Sequence, residues 1–545
     1  MVAAVRLVII LAAVVVCAAC WKGSPLNVAF AQSANRLEAY DFVEVTANVP
    51  WPHARNPFTD SSFTGWFGTA DGREKWQVEG FCDSEDGSIF RIRFMPPAPG
   101  EYKYFVEFHQ GRGSATSAGT FQAFDGHRRG PVRVDTQYPW HFVWEGTREH
   151  YFFNGTTAYW LMGWRDDNVI QVAIDRLHSL KVNRIRITIA GRSNLFYGEP
   201  VMTGPSWTLF LAPWPTPNAE DIYHPAFDYS RFSVAHWRKF DRALWYAREK
   251  DMVISLLLDM NDGRVHPGEF SSDERRFIHY AIDRFAAFSN ITWDLGDDLD
   301  GYRNPLWTHV TGTLIKHWDP YRHLATSHPM NNAHQDRTSD WFDFTSFAEW
   351  SRKQHTFMLN QRREQERLGR IIPQTNEEYG YEDHYPVWAG PLGSDSADTL
   401  RRTAWDIVMA GGYQTTGETA RRGTNVWPDS GGGWMNGRGD DTMTMLQGYG
   451  HMVDFFTSFE WWKAEPHDEM VNSGNYCLAE LGKTYAIYLP RGGQATVRLQ
   501  GGPFSAAWFN PSTGDRTPAS IASGVIWTSP AAPNGNDWAL LLQRK

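Results

Sequence analysis

Acidic residues gather at two places where strand-like segments end. The first is Ile291-Thr292-Trp293-Asp294-Leu295-Gly296-Asp297-Asp298, and the second is Pro373-Gln374-Thr375-Asn376-Glu377-Glu378-Tyr379-Gly380. A further acid, Asp259, ends an apolar run beside Asn261 and Asp262. Cleaving an acetal takes an acid that protonates the leaving oxygen. It also takes a carboxylate that attacks the anomeric carbon or activates water. Two carboxyl groups facing each other across a pocket are therefore the minimal equipment for cutting a glycosidic bond. Any one such Asp taken alone serves as readily as a helix N-cap or a surface ion-pair partner. The elements that position the acids must decide.

Those elements alternate between strand and helix periods. Phe152 to Tyr159 reads as a first strand, followed by helical spacing at Val169, Val172, Ala173, Leu177 and Leu180. Ile185, Ile187 and Ile189 mark a second strand, a long aromatic insertion runs from Asn194 to Tyr229, and Trp237 to Ala247 is helical. Val253 to Asp259 is a third strand, a helix over 272–288 follows, and a fourth strand begins at Ile291. A helix over Val310 to Trp318 precedes a fifth strand, Leu324 to Ser327. The sixth, Phe342 to Phe347, is reached without a clear helix. A charged helix over 350–368 feeds a seventh strand at Ile371, and a helix over 397–410 feeds an eighth, Tyr413 to Thr416. A last helix covers about 442–460. This order predicts an α/β fold, a (β/α)8 TIM barrel, over 132–466, with both acidic clusters at the carboxyl ends of strands four and seven. The alternative, a doubly wound open sheet, lacks a Gly-rich phosphate loop after its first strand.

Both flanks read as β. In 36–128, Phe90-Arg91-Ile92-Arg93-Phe94 alternates apolar and polar, and Tyr102 to Phe108 resumes after a Pro/Gly turn, so an N-terminal β-sandwich is expected. In 468–545, Tyr485 to Leu489, Ala495 to Leu499 and Ala506 to Phe509 predict a small C-terminal β-sandwich. The chain has 42% hydrophobic and 21% charged residues, as folded globular proteins do. A net charge of −10 with no Lys/Arg-rich run disfavours a nucleic-acid partner, and none is expected. Most of the 26 Trp must pack cores, while a few are expected to line a groove, since aromatic faces stack on sugar rings.

The amino terminus reads as an export signal, with Arg6 ahead of an apolar run from Leu7 to Val16 that is short for a membrane span. Two processing sites compete. Cys17-Ala18-Ala19-Cys20 resembles a lipoprotein box with Cys20 as the lipidated residue, giving a signal over 1–19 and a lipid anchor as the sole membrane link. Ala29-Phe30-Ala31 fits ordinary cleavage, giving a signal over 1–31. Cys82 and Cys477 fall in different predicted domains and are expected as free buried thiols.

Taken in order, several motifs resemble the apiosidase-like glycoside hydrolases. They are Asn183-Arg184-Ile185-Arg186, Asn290 through Asp298, Glu378-Tyr379-Gly380-Tyr381-Glu382, Ala410-Gly411-Gly412-Tyr413 and Trp508-Phe509-Asn510-Pro511 with Gly514. That family joins an N-terminal β-sandwich, a barrel and a small C-terminal sandwich sometimes described as collagen-binding. The resemblance implies Asp298 as acid/base, Glu378 as nucleophile and retention of configuration. Asp297 stands where the family has Gly or Asn, at a position that contacts the sugar's second hydroxyl.

Around this pair, Glu377 is expected to point away, because neighbouring strand residues alternate faces. Arg186 and Arg184 share a face; each is a structural ion-pair partner or, for Arg186, a substrate contact. Asp259 either bonds substrate or caps a loop, and Glu382 either orients substrate or braces Tyr381. Trp293 and His328 are candidate substrate contacts, and Trp164, Trp214 and Trp434 candidate stacking platforms. No HExxH, GxSxG or Walker pattern occurs, and an EF-hand reading of 296–307 fails at its first and last ligand positions. No cofactor or metal is called for. The sequence thus points to an exported glycoside hydrolase acting on polysaccharide or oligosaccharide side chains. One rival is a carbohydrate- or matrix-binding protein on an inactive barrel. Another is a polysaccharide lyase, which an acidic rim disfavours.

Overall fold

The computed structural model describes residues 24–191, 195–196, 199–200, 206–208, 210–218, 224–260, 266–382, 395–418, 433–439 and 443–545. Eight parallel strands curl into the (β/α)8 barrel. They are Asn154–Thr157, Arg184–Thr188, Val253–Leu257, Ile291–Asp294, Ala325–Thr326, Phe347–Ala348, Thr375–Glu378 and Tyr413–Glu418. Counted in chain order, the hydrogen-bonded path runs five, four, three, two, one, eight, seven, six. The seam between strands five and six is held by isolated bonds. Asp343 N–H donates to the Ala325 carbonyl (2.9 Å), and the Thr326 hydroxyl donates to the Phe344 carbonyl (2.7 Å). Threonine side chains take over the bonding here, which is why strand six is only Phe347–Ala348 and not Phe342 to Phe347.

The crossover helices follow the apolar spacing. Asp167–Ser179 buries Ile170, Ala173, Ile174 and Leu177, and Ser272–Phe285 starts where the Ser271 hydroxyl accepts the Glu274 N–H. Pro305–Trp318, Gln354–Arg367, Ala397–Met409 and Met445–Phe456 complete the outer layer with Val234–Arg248. Below the barrel a three-stranded sheet, Val132–Val134, Phe142–Trp144 and His150–Tyr151, sets Phe142 against Phe153, Phe344 and Tyr413. Those aromatic residues close the amino end, so only the carboxyl end is left to carry chemistry.

Two sheets form the N-terminal sandwich, one antiparallel and one mixed, in which Ser24–Pro25 and Arg36–Glu38 run parallel to Gly113–Phe124. Of the polar half of the Phe90–Phe94 alternation, Arg91 stays partly exposed and Arg93 does not face water. Arg93 is buried and clamps Asp241 of the second barrel helix with both guanidinium nitrogens (2.9 and 3.0 Å), and Arg284 of the third helix holds Asp241 and Asp83. The sandwich is thus locked to the barrel by a buried, fully hydrogen-bonded ionic cluster. Ala29–Gln32 is an edge strand paired with Val43–Asn48, so cleavage after Ala31 would remove most of it. At the other end, Arg401 pairs with Asp537, and Trp405 stacks on Tyr488 (centroids 5.1 Å apart), joining the barrel to the C-terminal sheets. Cys82 and Cys477 are both buried and unpaired, and burial pushes the Cys82 thiol up to about 12. Among the described residues no helix is long and apolar enough to cross a membrane. Residues 1–19, including Cys20's leader, and Cys20 itself lie outside the described residues.

Candidate active site

Strand two alternates Arg184, Arg186 and Thr188 inward with Ile185 and Ile187 outward, so two guanidinium groups enter the barrel. Arg184 sits lowest, over the rings of Phe153 (4.7 Å) and Phe344 (5.5 Å), where it pairs with Glu377 and donates to Ser255 Oγ (2.7 Å). Arg186 lies above it. It reaches Asp294 Oδ2 through Nη2 (3.0 Å), Glu377 Oε2 through Nε (3.3 Å), Asp297 Oδ1 (3.3 Å) and the Tyr159 hydroxyl (3.2 Å). Both arginines are buried, so the ion-pair alternative holds for each, and Arg186 braces the site from beneath and has no exposed surface to offer a sugar.

Glu377 does not point away from the barrel. Strand seven carries an extra residue against strand six: Phe347 pairs with Asn376, and the next residue, Ala348, pairs with Glu378. This bulge breaks the alternation, so Glu377 and Glu378 both face inward. Glu377 is fully buried. Burial opposes its charge, but Arg184, Arg186 and the Ser346 hydroxyl outweigh it and hold the carboxyl below its usual range. Glu378 stands one step higher and keeps some exposure at the mouth. Gly380, at φ 132°, lets the chain turn away at once; a Cβ there would meet Asp395 Oδ2 at 2.7 Å.

At the rim, His328 lies between the two corners. Its Nε2 is 3.2 Å from Glu378 Oε2 and 3.8 Å from Asp297 Oδ1, and its Nδ1 is 2.9 Å from Ser346 Oγ. Ser346 has one proton, which it donates to Glu377 Oε2 (2.6 Å), so toward His328 it can only accept. Nδ1 must then carry a proton. Nε2, facing carboxylates, must carry one too. His328 is an imidazolium: burial and Arg186 press its pKa down, and Glu378 and Asp297 lift it to about 9. Burial also raises Glu378, but the His328 bond and charge, Arg186 and the Tyr381 hydroxyl overcome this and hold it low. Asp297, His328 and Glu378 each bring an atom within 4.8 Å of the others, the spacing of a cation site. In the metal-free protein the trio is joined by the His328 ring proton on Nε2.

Asp298 meets the opposite environment. It adopts the left-handed region (φ 49°, ψ 38°) and stays half-buried, with no guanidinium against it among the described contacts. Burial first, then the charges of Asp297 and Glu378, push it up to about 8. One carboxyl of the pocket therefore keeps a proton at neutrality while another loses its own, the two states that acid-assisted displacement requires. Asp297, directly beside it, accepts from the Tyr159 hydroxyl (2.8 Å) and Arg186, while burial and Glu378 oppose its ionisation.

The remaining candidates belong to the scaffold. Trp293 has no exposed surface, and its indole N–H donates to Asp319 Oδ2 (3.0 Å) outside the barrel wall. Asp259 is buried against Arg303 (2.9 Å) and the Met260 N–H (2.9 Å), which is the capping alternative. Glu382 accepts the N–H groups of Thr444 (3.0 Å) and Met445 (3.2 Å), capping the last helix. Trp164 donates to the Asn436 carbonyl (2.7 Å) and Trp214 packs among Phe227, Tyr229 and Phe277; both are buried and offer no platform. The Trp434 side chain lies outside the described residues. Four contributors escaped sequence reasoning: Tyr159, Asp294, Ser346 and Tyr381. For Tyr159 the signal was available, a polar-tipped ring closing strand one. For Asp294 it was parity with the arginines across the barrel.

Comparison with known proteins bears on the fold. Residues 207–419 match the family model "Apiosidase-like, catalytic domain", and 36–109 match a domain of unknown function. Residues 467–543 match "Putative collagen-binding domain of a collagenase". No curated protein matches the chain. Among solved structures, one described as a "putative glycoside hydrolase" from Bacteroides vulgatus superposes with a TM-score of 0.76 at 18% identity, covering 94% of this chain and 100% of its own. A family 5 glycoside hydrolase from the same species gives 0.59 at 16% identity, covering 76% and 93%. At such identities the likeness concerns the fold. Over 207–419 the barrel is thus similar to the apiosidase-like catalytic domain, and its fold is shared with solved structures described as glycoside hydrolases.

Proposed function

We propose that this protein is a glycoside hydrolase that acts on oligosaccharide or polysaccharide side chains with retention of configuration. The observation that carries the reading is the split between Asp298, pushed up to about 8, and Glu378, held low by His328, at one barrel mouth. Asp298 would protonate the leaving oxygen while Glu378 Oε attacks the anomeric carbon and the glycosidic C–O bond breaks. Water would then attack the anomeric carbon, lose a proton to Asp298 and release Glu378 as the carboxylate. Nothing in these steps needs a cofactor. Sugar release from a panel of aryl glycosides and plant polysaccharides, with the first-formed anomer read by NMR, tests the proposal. Binding without release from any panel member would favour the carbohydrate-binding rival, and an inverted anomer would remove retention.

Export belongs to the same proposal. The pairing of Ala29–Gln32 in the first sandwich supports processing at Cys20 over processing after Ala31. Fatty-acid labelling that marks the wild type and not Cys20→Ala is the expected result; a mature terminus at Gln32 would overturn it.

A further inference from the structure

The position of His328 raises a question that the proposed cycle alone does not answer. The imidazolium is fully buried, and its Nε2–H is given to Glu378. When Glu378 becomes a glycosyl ester, its oxygens lose their charge. A buried cation without an anion is costly, and His328 would be expected to shed its proton to the solvent. The departing Glu378 would then leave without a positive charge beside it.

A second acceptor already stands in reach. Asp297 Oδ1 is 3.8 Å from the same Nε2, and it is fixed there by the Tyr159 hydroxyl (2.8 Å) and Arg186 Nη2 (3.3 Å). The Ser346 bond to Nδ1 acts as a pivot and does not depend on Glu378, because Ser346 is anchored on Glu377. Among the described residues, the charged groups that face His328 come from three elements. Arg186 comes from strand two; Asp294, Asp297 and Asp298 come from the strand-four corner; Glu377 and Glu378 come from strand seven. Asp294 is engaged by Arg186, and Glu377 by both arginines. Asp298 must hold and release the catalytic proton. Asp297, though it also accepts from Tyr159 and Arg186, is the one carboxyl of this set besides Glu378 with an oxygen within 4 Å of Nε2.

We infer that Asp297 is a positioning residue that takes over the His328 hydrogen bond when Glu378 is esterified, so that the imidazolium stays charged through the covalent intermediate. The inference rests on the retaining reading above. No proton changes owner in this exchange: both ring protons stay on His328, and only the acceptor of Nε2–H changes. In the second half of the cycle water attacks the anomeric carbon, Asp298 takes its proton, and the ester C–O electrons return to Glu378. The imidazolium then swings back to meet the new carboxylate.

Glu378→Gln reproduces the uncharged carbonyl of the ester in the free protein, so the exchange can be tested without a substrate. The probe is 15N-labelled imidazole NMR of the full chain, with the His328 signals assigned by their loss in His328→Gln. The wild-type midpoint is expected at about 9. It should remain above neutrality in Glu378→Gln and in Asp297→Asn, and fall by about two units in the double variant. A neutral His328 at pH 7 in Glu378→Gln alone, or a double variant that keeps the wild-type midpoint, would overturn the inference. If the double variant does not fold, the single Glu378→Gln result still decides. Kinetics give a second readout. Asp297→Asn should lower kcat and KM together, about tenfold, on substrates with good leaving groups as glycosyl-enzyme accumulates. An unchanged KM with a reduced kcat/KM would speak against it. If the wild type inverts configuration, the retaining reading falls and takes the inference with it. Retention with a neutral His328 in Glu378→Gln overturns the inference alone.

Discussion

The two acidic corners of the barrel mouth, a pair of Asp and a pair of Glu, have their pKa values moved in opposite directions. The strand-seven corner puts Glu377 and Glu378 against Arg184, Arg186, His328 and Ser346, and both carboxyls stay below their usual range. The strand-four corner puts Asp297 and Asp298 in the same pocket, where burial and neighbouring carboxylates outweigh the pull of His328 and Arg186, and both are pushed up. Ionisation here follows from which neighbours are free to compensate a charge and not from the acid itself.

The largest way to break this contrast is at the ionised corner. Glu378→Gln should cut kcat/KM by about 10⁴-fold or more while leaving the melting transition intact, because the amide keeps the shape and loses the nucleophile. A small loss would mean that Glu378 is not the attacking group.

Arg186→Met attacks the shared support. Asp294 would be left buried without its ion-pair partner, so a loss of about 3–5 kcal/mol is expected in denaturant unfolding. Unchanged stability would show that the interior pairs hold each other without it.

Asp298→Asn separates the corners by leaving group. Substrates with poor leaving groups should lose about 10²–10⁴-fold, and activated aryl glycosides far less, since they need little protonation. If Asp297→Asn shows this pattern and Asp298→Asn does not, the acid is one residue earlier.

The same acid sets the pH response. It must be protonated to act, so kcat/KM should fall as pH rises through about 8. Its folded pKa lies above its unfolded one, so its favourable contribution to stability is complete below ordinary carboxylate titration and is lost toward about 8. Asp298→Asn should therefore gain thermal stability over wild type at pH 9 and gain less at pH 5. No pH dependence of that difference would contradict the raised state.

The smallest effect sharpens the boundary of the site. Trp293→Phe removes one indole bond to Asp319 behind the wall, so it should cost about 1–2 kcal/mol of stability and leave KM unchanged. A raised KM would return Trp293 to the substrate contacts.

The amino-acid order alone determined the barrel, because hydrophobic period is local: Ile185/Ile187 against Arg184/Arg186 already states which face of strand two looks inward. It also placed Asp298 and Glu378 at strand ends on two separate corners, since element order places strands around a barrel. What it could not decide depended on neighbours distant in sequence. The bulge that turns Glu377 inward appears only when strand seven meets strand six. The capping role of Glu382 needs the helix at Thr444, and the burial of Trp164, Trp214 and Trp293 needs the packed loops and wall around them. The charge of His328 follows from a single serine proton committed to Glu377, a fact fixed by three residues brought together from 328, 346 and 377. Periodicity is written in consecutive residues, whereas desolvation and hydrogen-bond competition exist only once the chain has closed around them.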